Sequence, residues 1–426
     1  MARPIVREGL WLAASQASSG IAGLVGLKLL TTLLPLDAYG GFALLMALVA
    51  FGSGLWPGPI LQATLRFYPE ALKDGRVAPF RSLAARLLLA GTLVVAAGIT
   101  IGGAVWNAVG SRPVASASLL LAAAYLLADT LRSFEAGLLN AARRQAAFSV
   151  RTIADAFVKP GAAVLSIAAF GPSAAVALGG FVAGSALVSV ALWRQTIRGA
   201  PPGRAAPGDT WVGARRAPFL RYAIPLLPLA VLAWVRSLGD RYVLEWAAGA
   251  EAVGLYAAAY TLASQPFIAA NAVIHSTLRP ALYDAVARAD VPRERRILWA
   301  WLVLVIGVSG VGVLAYALFS PWLAGLLLGP HFEEAASLAP WIALAYALQN
   351  VQQTFEIMMF AHAQMFRIVA LQAAAGVVAL ALFLTLIPRY GAQGAAFATL
   401  LSFVATCAVS FFLAQAPRRL GRLAQR

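Results

Sequence analysis

Six ionisable residues stand inside two consecutive apolar stretches: Asp129, Arg132 and Glu135 in the first, Arg151, Asp155 and Lys159 in the second. Charge at membrane depth is costly, so such residues mark transport pathways, relays or mutual pairing. If the stretches are antiparallel helices joined near residues 140–146, a rise of about 1.5 Å per residue fixes their levels. Glu135 then faces Arg151, Arg132 faces Asp155, and Asp129 faces Lys159. Opposite signs meet at every rung, so this charge ladder reads as a structural seam between two spans. Asp155 is at the same time a candidate for ion coupling.

Outside the ladder, Lys28, Arg236, Asp240, Arg241 and Glu356 also fall in apolar surroundings. Arg236 and Asp240 are one helical turn apart, and the spacing allows an i,i+4 pair. Asp240 is the second candidate for coupling to a proton or sodium ion. Lys28 has no acidic neighbour within its stretch; a headgroup-binding cation and a side chain snorkelling to the outer interface are both open readings for it and for Arg241. Thr64-Leu65-Arg66 recurs as Thr277-Leu278-Arg279, which pairs Arg66 with Arg279. Lys28, Arg66, Arg236 and Arg279 together form a candidate substrate-binding set, because four cations around one axis suit a diphosphate that guanidinium forks grip bidentately. Arg66 and Arg279 read equally as ordinary interfacial anchors.

No metal or cofactor is expected. His275, His331 and His362 are far apart and belong to no HExxH or Cys/His cluster, and no Gly-x4-Gly-Lys-Ser/Thr phosphate loop occurs. Cys407 is the single cysteine and excludes an intrachain disulfide. With no catalytic cluster, the expectation is a transporter and not an enzyme.

The elements that must position these residues are membrane helices. A mean hydropathy of +0.78 and 61% hydrophobic residues over 426 positions exceed the roughly 45–50% apolar content of soluble domains. Twelve stretches are long enough to span about 30 Å of hydrocarbon: 9–34, 41–65, 82–105, 115–139, 147–170, 172–193, 218–244, 252–278, 297–319, 337–360, 366–387 and 392–416. With the N-terminus inside, 25 of the 33 Lys and Arg lie on the cytoplasmic side, Arg112 and Arg389 lie in outer loops, and the rest lie within spans. This positive-inside bias puts both termini in the cytoplasm and explains the net charge of +16 without nucleic acid. Contact with anionic membrane lipid follows from the same bias.

The organisation expected is an N-terminal six-helix lobe (1–200), a Pro- and Gly-rich cytoplasmic linker (201–217), a C-terminal six-helix lobe (218–416) and a basic cytoplasmic tail (417–426). Asp37-Ala38-Tyr39-Gly40-Gly41-Phe42-Ala43 recurs as Glu251-Ala252-Val253-Gly254-Leu255-Tyr256-Ala257, and Gly171, Ala174 and Ala175 recur as Gly391, Gly394 and Ala395. Six spans per repeat insert both halves the same way, about a pseudo-two-fold axis along the membrane normal. The fold class is therefore an all-α polytopic membrane protein. Pro225, Pro228 and Pro266 are expected to bend spans seven and eight. The outer loops are short, which disfavours an envelope-assembly enzyme.

At this point the residues resemble a family. Arg221-Tyr222-Ala223-Ile224-Pro225, Asp240-Arg241-Tyr242 and Gly254-Leu255-Tyr256-Ala257-Ala258-Ala259-Tyr260 are similar to the opening of the second half in bacterial polysaccharide-export flippases. Leu386-Ile387-Pro388-Arg389-Tyr390-Gly391-Ala392-Gln393-Gly394-Ala395-Ala396 resembles that family's penultimate turn, with weaker matches at Leu34-Pro35, Arg66-Phe67-Tyr68-Pro69 and Leu328-Gly329-Pro330. The resemblance implies the superfamily of oligosaccharidyl-lipid flippases, multidrug extruders and lipid II flippases. It implies a cavity formed largely by the first, second, seventh and eighth helices, with alternating access. It further implies a bacterial inner-membrane O-antigen, capsule or exopolysaccharide flippase for polyprenyl-diphosphate-linked oligosaccharide. A polysaccharide polymerase and export machinery would be its partners. Lipid II flippases generally carry two further spans, and none is expected after Arg418. The alternatives left open are an ion-coupled multidrug extruder of the same fold, an envelope-assembly enzyme and a scaffold.

Overall fold

In the computed structural model, residues 2–109, 115–199, 210–362 and 364–415 are described, and among them the regular structure is helical throughout. Arg112, residues 201–209 of the expected linker and the basic tail 417–426 lie outside the described residues. The helices are α1 (Ala2–Leu33), α2 (Leu36–Leu55), α3 (Pro57–Lys73), α4 (Val77–Val109), α5 (Ser116–Ala141), α6 (Gln145–Phe170), α7 (Ala174–Gly199), α8 (Thr210–Ala223), α9 (Leu226–Ala287), α10 (Val291–Leu327), α11 (Ala339–Ala361) and α12 (Met365–Gln415). A 3-10 segment, Pro330–Ser337, joins α10 to α11.

The described residues of every expected span are mostly helical, with span two divided between α2 and α3 and span seven between α8 and α9. α9 carries spans seven and eight and turns at Gly249, where φ is 85°. α12 carries spans eleven and twelve and turns at Gly391, where φ is 57°. Gly171, the repeat partner of Gly391, has φ 94° at the turn into α7. Both positions use a conformation that a Cβ would strain. The second repeat match also holds locally: Thr64 Oγ1 donates to the Ile60 carbonyl at 2.8 Å and Thr277 Oγ1 to the Val273 carbonyl at 2.9 Å.

Eight of the described helices are apolar and long enough to cross a membrane, and this is a multi-pass membrane protein. α11 falls outside those eight because Gln349, Asn350, Gln352, Gln353 and Glu356 dilute its apolar character.

The proline expectations need correction. Pro225 does separate two helices, lying between the end of α8 and the start of α9. Pro228, however, sits in the first turn of α9, where a missing N–H leaves no hydrogen bond unmade, and Pro266 lies in the interior of α9 beyond the Gly249 turn. A further break falls within span two at Trp56-Pro57. Trp56 leaves the helical region (φ −132°, ψ −53°) and Pro57 opens α3.

Packing groups the chain into two compact units, residues Leu33–Trp234 and residues Met1–Thr32 with Val235–Arg426. The grouping does not follow the sequence halves, since α1 belongs with helices of the second half. In the 33–234 unit, Ile60, Tyr68, Phe80, Leu88, Phe134, Leu138 and Phe219 form a buried cluster. α6 and α7 touch so closely that a Cβ at Gly180 would lie 2.3 Å from the Ala163 Cα. In the other unit, fully buried Trp301 is surrounded by Ile274, Leu282, Val305 and Ile357.

Candidate functional site

The charge ladder closes within the 33–234 unit, although differently from three independent rungs. Lys159 Nζ lies 2.9 Å from Asp129 Oδ1 and 3.0 Å from Asp155 Oδ2. Arg132 lies 3.0 Å from Asp129 and 3.3 Å from Asp155. Two cations and two carboxylates thus form one neutral quartet, in which each charge is held by two of the opposite sign. All four side chains are under a quarter exposed. Tyr125 adds its hydroxyl 3.4 Å from Lys159 and a ring 5.7 Å from that ammonium. Glu135 takes Arg81 of α4 at 2.6 Å, a partner that the hairpin alone does not reveal, while Arg151 stays within the electrostatic reach of Glu135. Asp155, proposed for ion coupling, is thus engaged twice.

Arg66 lies in the same unit, more than half exposed. It pairs with Glu70 one turn later at 3.1 Å and sits over the Phe67 ring at 5.5 Å. Glu70 and Asp74 also hold Arg215 of α8, at 2.7 and 3.1 Å. Trp211 donates to Asp74 at 3.3 Å, and Phe219 buries its ring against Phe67 and Phe80. A cavity of only about 10 Å³ remains among Phe67, Glu70, Phe80, Trp211, Arg215 and Phe219.

In the other unit the remaining candidates take different surroundings. Lys28 meets the end of α10. Its ammonium donates to the carbonyls of Leu328 (2.5 Å) and Gly325 (3.3 Å), at the C-terminus of α10. The Gly329 N–H donates to Thr31 Oγ1 at 2.9 Å. A cation at a helix C-terminus meets orphan carbonyls and the negative end of the helix dipole, so Lys28 acts there as a cap. A Cβ at Gly329 would fall 2.0 Å from the Thr31 carbonyl oxygen, which makes glycine necessary at that junction.

Arg236 and Asp240 do not pair, contrary to their spacing. Asp240 is buried and accepts from Tyr256 Oη (2.5 Å) and the Arg241 N–H (2.8 Å), and Tyr256 Oη is also 3.0 Å from Thr399 Oγ1. That network turns the carboxylate away from Arg236. Arg241 packs over Tyr260 at 5.4 Å, buried instead of snorkelling. Arg236 lies over the Phe403 ring at 5.7 Å, with Nε and Nη1 buried and without a hydrogen-bond partner. Its charge reaches Glu356 without a direct ion pair.

Glu356 lines an opening in this unit, a cavity of about 310 Å³ bounded by His275, Arg279, Tyr283, Gln353, Glu356, Ile357 and Phe360. Its walls follow from helical periodicity. Asn271, His275, Arg279 and Tyr283 recur every four residues along α9, and Gln349, Gln352, Gln353 and Glu356 follow the i, i+3, i+4, i+7 pattern of one α11 face. Asn271 Nδ2 donates to Gln353 Oε1 at 2.7 Å. Gln352 and Gln372 donate to the same oxygen of Glu356, Oε1, at 2.9 and 2.6 Å. His275 sets its ring edge-on to Trp301, with centroids 5.2 Å apart, and its Nε2 is buried without a hydrogen bond. Arg279 is exposed and makes no ion pair among the described residues. Arg279 lines the cavity, and Arg236 acts on its Glu356 through charge alone, while Lys28 and Arg66 are engaged elsewhere by Leu328 and Glu70. The amide face of α11 and the participation of His275 and Tyr283 escaped the sequence reading. Three amides and a carboxylate in an apolar span, on one helical face, were the signal that could have found them.

Comparison with known proteins places this architecture. The model of the polysaccharide biosynthesis protein family matches residues 5–286, and the chain belongs to that family. Among solved structures it resembles the lipid II flippase MurJ in an inward closed conformation, with TM-score 0.73 and 14% identity over 96% of this chain and 88% of that one. It also resembles a multidrug resistance MATE transporter of the MOP superfamily in an inward-facing conformation, with TM-score 0.65 and 14% identity over 97% and 96%. A third similar structure is a MOP superfamily transporter from Pyrococcus furiosus, with TM-score 0.63 and 14% identity over 96% and 94%, described as having a binding pocket of reversed polarity. These likenesses establish the fold of a helical membrane transporter. No curated protein sequence matches the chain.

Proposed function

We propose that the protein flips a polyprenyl-diphosphate-linked oligosaccharide from the cytoplasmic to the outer leaflet of a bacterial inner membrane, by alternating access of two six-helix lobes, for O-antigen, capsule or exopolysaccharide export. Both termini are cytoplasmic in this reading, and a polymerase with its export machinery receives the product. Sugars and diphosphate do not cross hydrocarbon unaided, whereas the polyprenyl tail stays in lipid, so the headgroup alone needs a path.

The observation that carries the reading is the Arg236–Arg279 region. Arg236 presents buried N–H groups with no partner, and Arg279 opens on a cavity of about 310 Å³. Hydrogen bonds from such cations to phosphate oxygens are roughly twice as strong as neutral ones. The family match and the likeness to a lipid II flippase support the same substrate class. The two carboxylates that the drug-extruder alternative would draw on for coupling, Asp240 and Asp155, are engaged by Tyr256 and by the quartet.

The test is the lipid fraction of cells lacking the gene. Diphosphate-linked oligosaccharide should accumulate on the cytoplasmic leaflet and clear on complementation with the native chain. Complementation by Arg236→Ala or Arg279→Ala should fail although the variants insert normally. Full complementation by both would remove the proposed cation site.

A further inference from the structure

We infer that the α9–α11 cavity is a saccharide subsite, seating the sugar ring next to the diphosphate; this deepens the proposed flippase reading and rests on it for the choice of ligand. At about 310 Å³ the space lies at the lower end of the roughly 300–1,000 Å³ of small-molecule pockets. One or two pyranose rings suit it.

The lining has the chemistry of a polyhydroxyl site. Tyr283 and Phe360, 41% and 42% exposed, offer aromatic faces to the apolar C–H face of a pyranose. Glu356 has both amide donors on Oε1, which leaves Oε2 to accept from a pair of sugar hydroxyls. Gln353 gives its Oε1 to Asn271 and keeps its amide N–H groups, which have no partner among the described residues. His275 Nε2, buried and without a hydrogen bond, supplies a further polar atom in the same wall. Acceptor, donor and stacking faces converge on one space. An apolar drug would strand these polar groups, and an organic cation would meet Arg279 and the nearby charge of Arg236. A neutral ring attached to an anion satisfies both the polar wall and the cations, which is the order of groups in a sugar diphosphate.

Saturation-transfer NMR on the purified full-length chain in detergent tests the assignment. The probes are glucose, galactose, mannose and their 2-acetamido derivatives as free methyl glycosides, and inorganic pyrophosphate as a separate arm. At least one glycoside should bind, and Tyr283→Ala and Gln353→Ala should each weaken it roughly fivefold to tenfold, the loss of about one neutral contact. Pyrophosphate binding should be unchanged by those two variants and lost in Arg279→Ala. Tyr283→Phe, which keeps the ring, should retain glycoside binding and serves as the folding control. If no glycoside binds, or binding is indifferent to both alanine variants, the saccharide subsite is overturned whatever pyrophosphate does. Loss of the pyrophosphate arm alone would overturn the diphosphate reading and leave the sugar site standing.

Discussion

The repeat sets Arg66 and Arg279 in equivalent places, and the two corners differ in almost everything that matters for a ligand. Around Arg66, Glu70 stands one turn on, and α8 brings Arg215, Trp211 and Phe219 onto α3 until about 10 Å³ remains. Around Arg279 the residue one turn on is Tyr283, no helix among the described residues plays the part of α8, and about 310 Å³ stays open. The same contrast runs through the interiors of the two units. In residues 33–234 the quartet and Arg81–Glu135 hold intramembrane charges in direct ion pairs, whereas Arg236 in the other unit makes no ion pair among the described residues and keeps Nε and Nη1 without a hydrogen-bond partner. A charge already paired is structure, and one left over is available for a ligand.

Breaking the paired side should cost the most stability. Lys159→Ala leaves two carboxylates with one guanidinium between them, and loss of one partner from a buried pair costs about 3–5 kcal/mol. A matching fall in thermal stability of the purified protein should appear in detergent. Exchanging the charges of Arg132 and Asp155 together should recover most of what either single reversal loses; failure to recover would mean that packing, not pairing, holds that seam.

On the open side the order of effects inverts. Arg236→Ala should leave the melting temperature nearly unchanged, because no hydrogen bond is lost. It should weaken pyrophosphate binding by about ten- to a hundredfold, the worth of one charge-assisted hydrogen bond at ~1.5–3 kcal/mol. Equal losses of stability in Arg236→Ala and Lys159→Ala would erase the distinction between the two units. The smallest effect is expected at the α3–α8 corner. Its ion pairs are about a third exposed and worth ~0.2–1 kcal/mol. Arg215→Ala should therefore leave global stability intact while raising amide hydrogen exchange in residues 210–223; unchanged exchange would show that Trp211 and Phe219 hold α8 unaided.

Much of the architecture is legible in the sequence. Hydropathy placed twelve spans that coincide with helical structure, spans two and seven each being divided between two helices, because length and apolar content are all that a bilayer demands. The Asp129–Lys159 and Arg132–Asp155 contacts follow from the rise of two antiparallel helices, which needs only local geometry. The Arg236–Asp240 pair failed although its spacing was right. Spacing says which side chains can meet, and Tyr256, sixteen residues on, was the better partner for a buried carboxylate.

The sequence by itself determined the class of protein, the span count, the repeat and the sign of each charge, since these depend on composition and on neighbours along the chain. Tertiary structure alone decided which charges are spent. Lys28 is taken by carbonyls some 300 residues away, Glu70 by an arginine 145 residues away, and the amides of α11 meet α9 across a gap of 82. Pairing in a low-dielectric interior is settled by whichever partner packing brings nearest, and that choice is made between helices, beyond the reach of any local pattern.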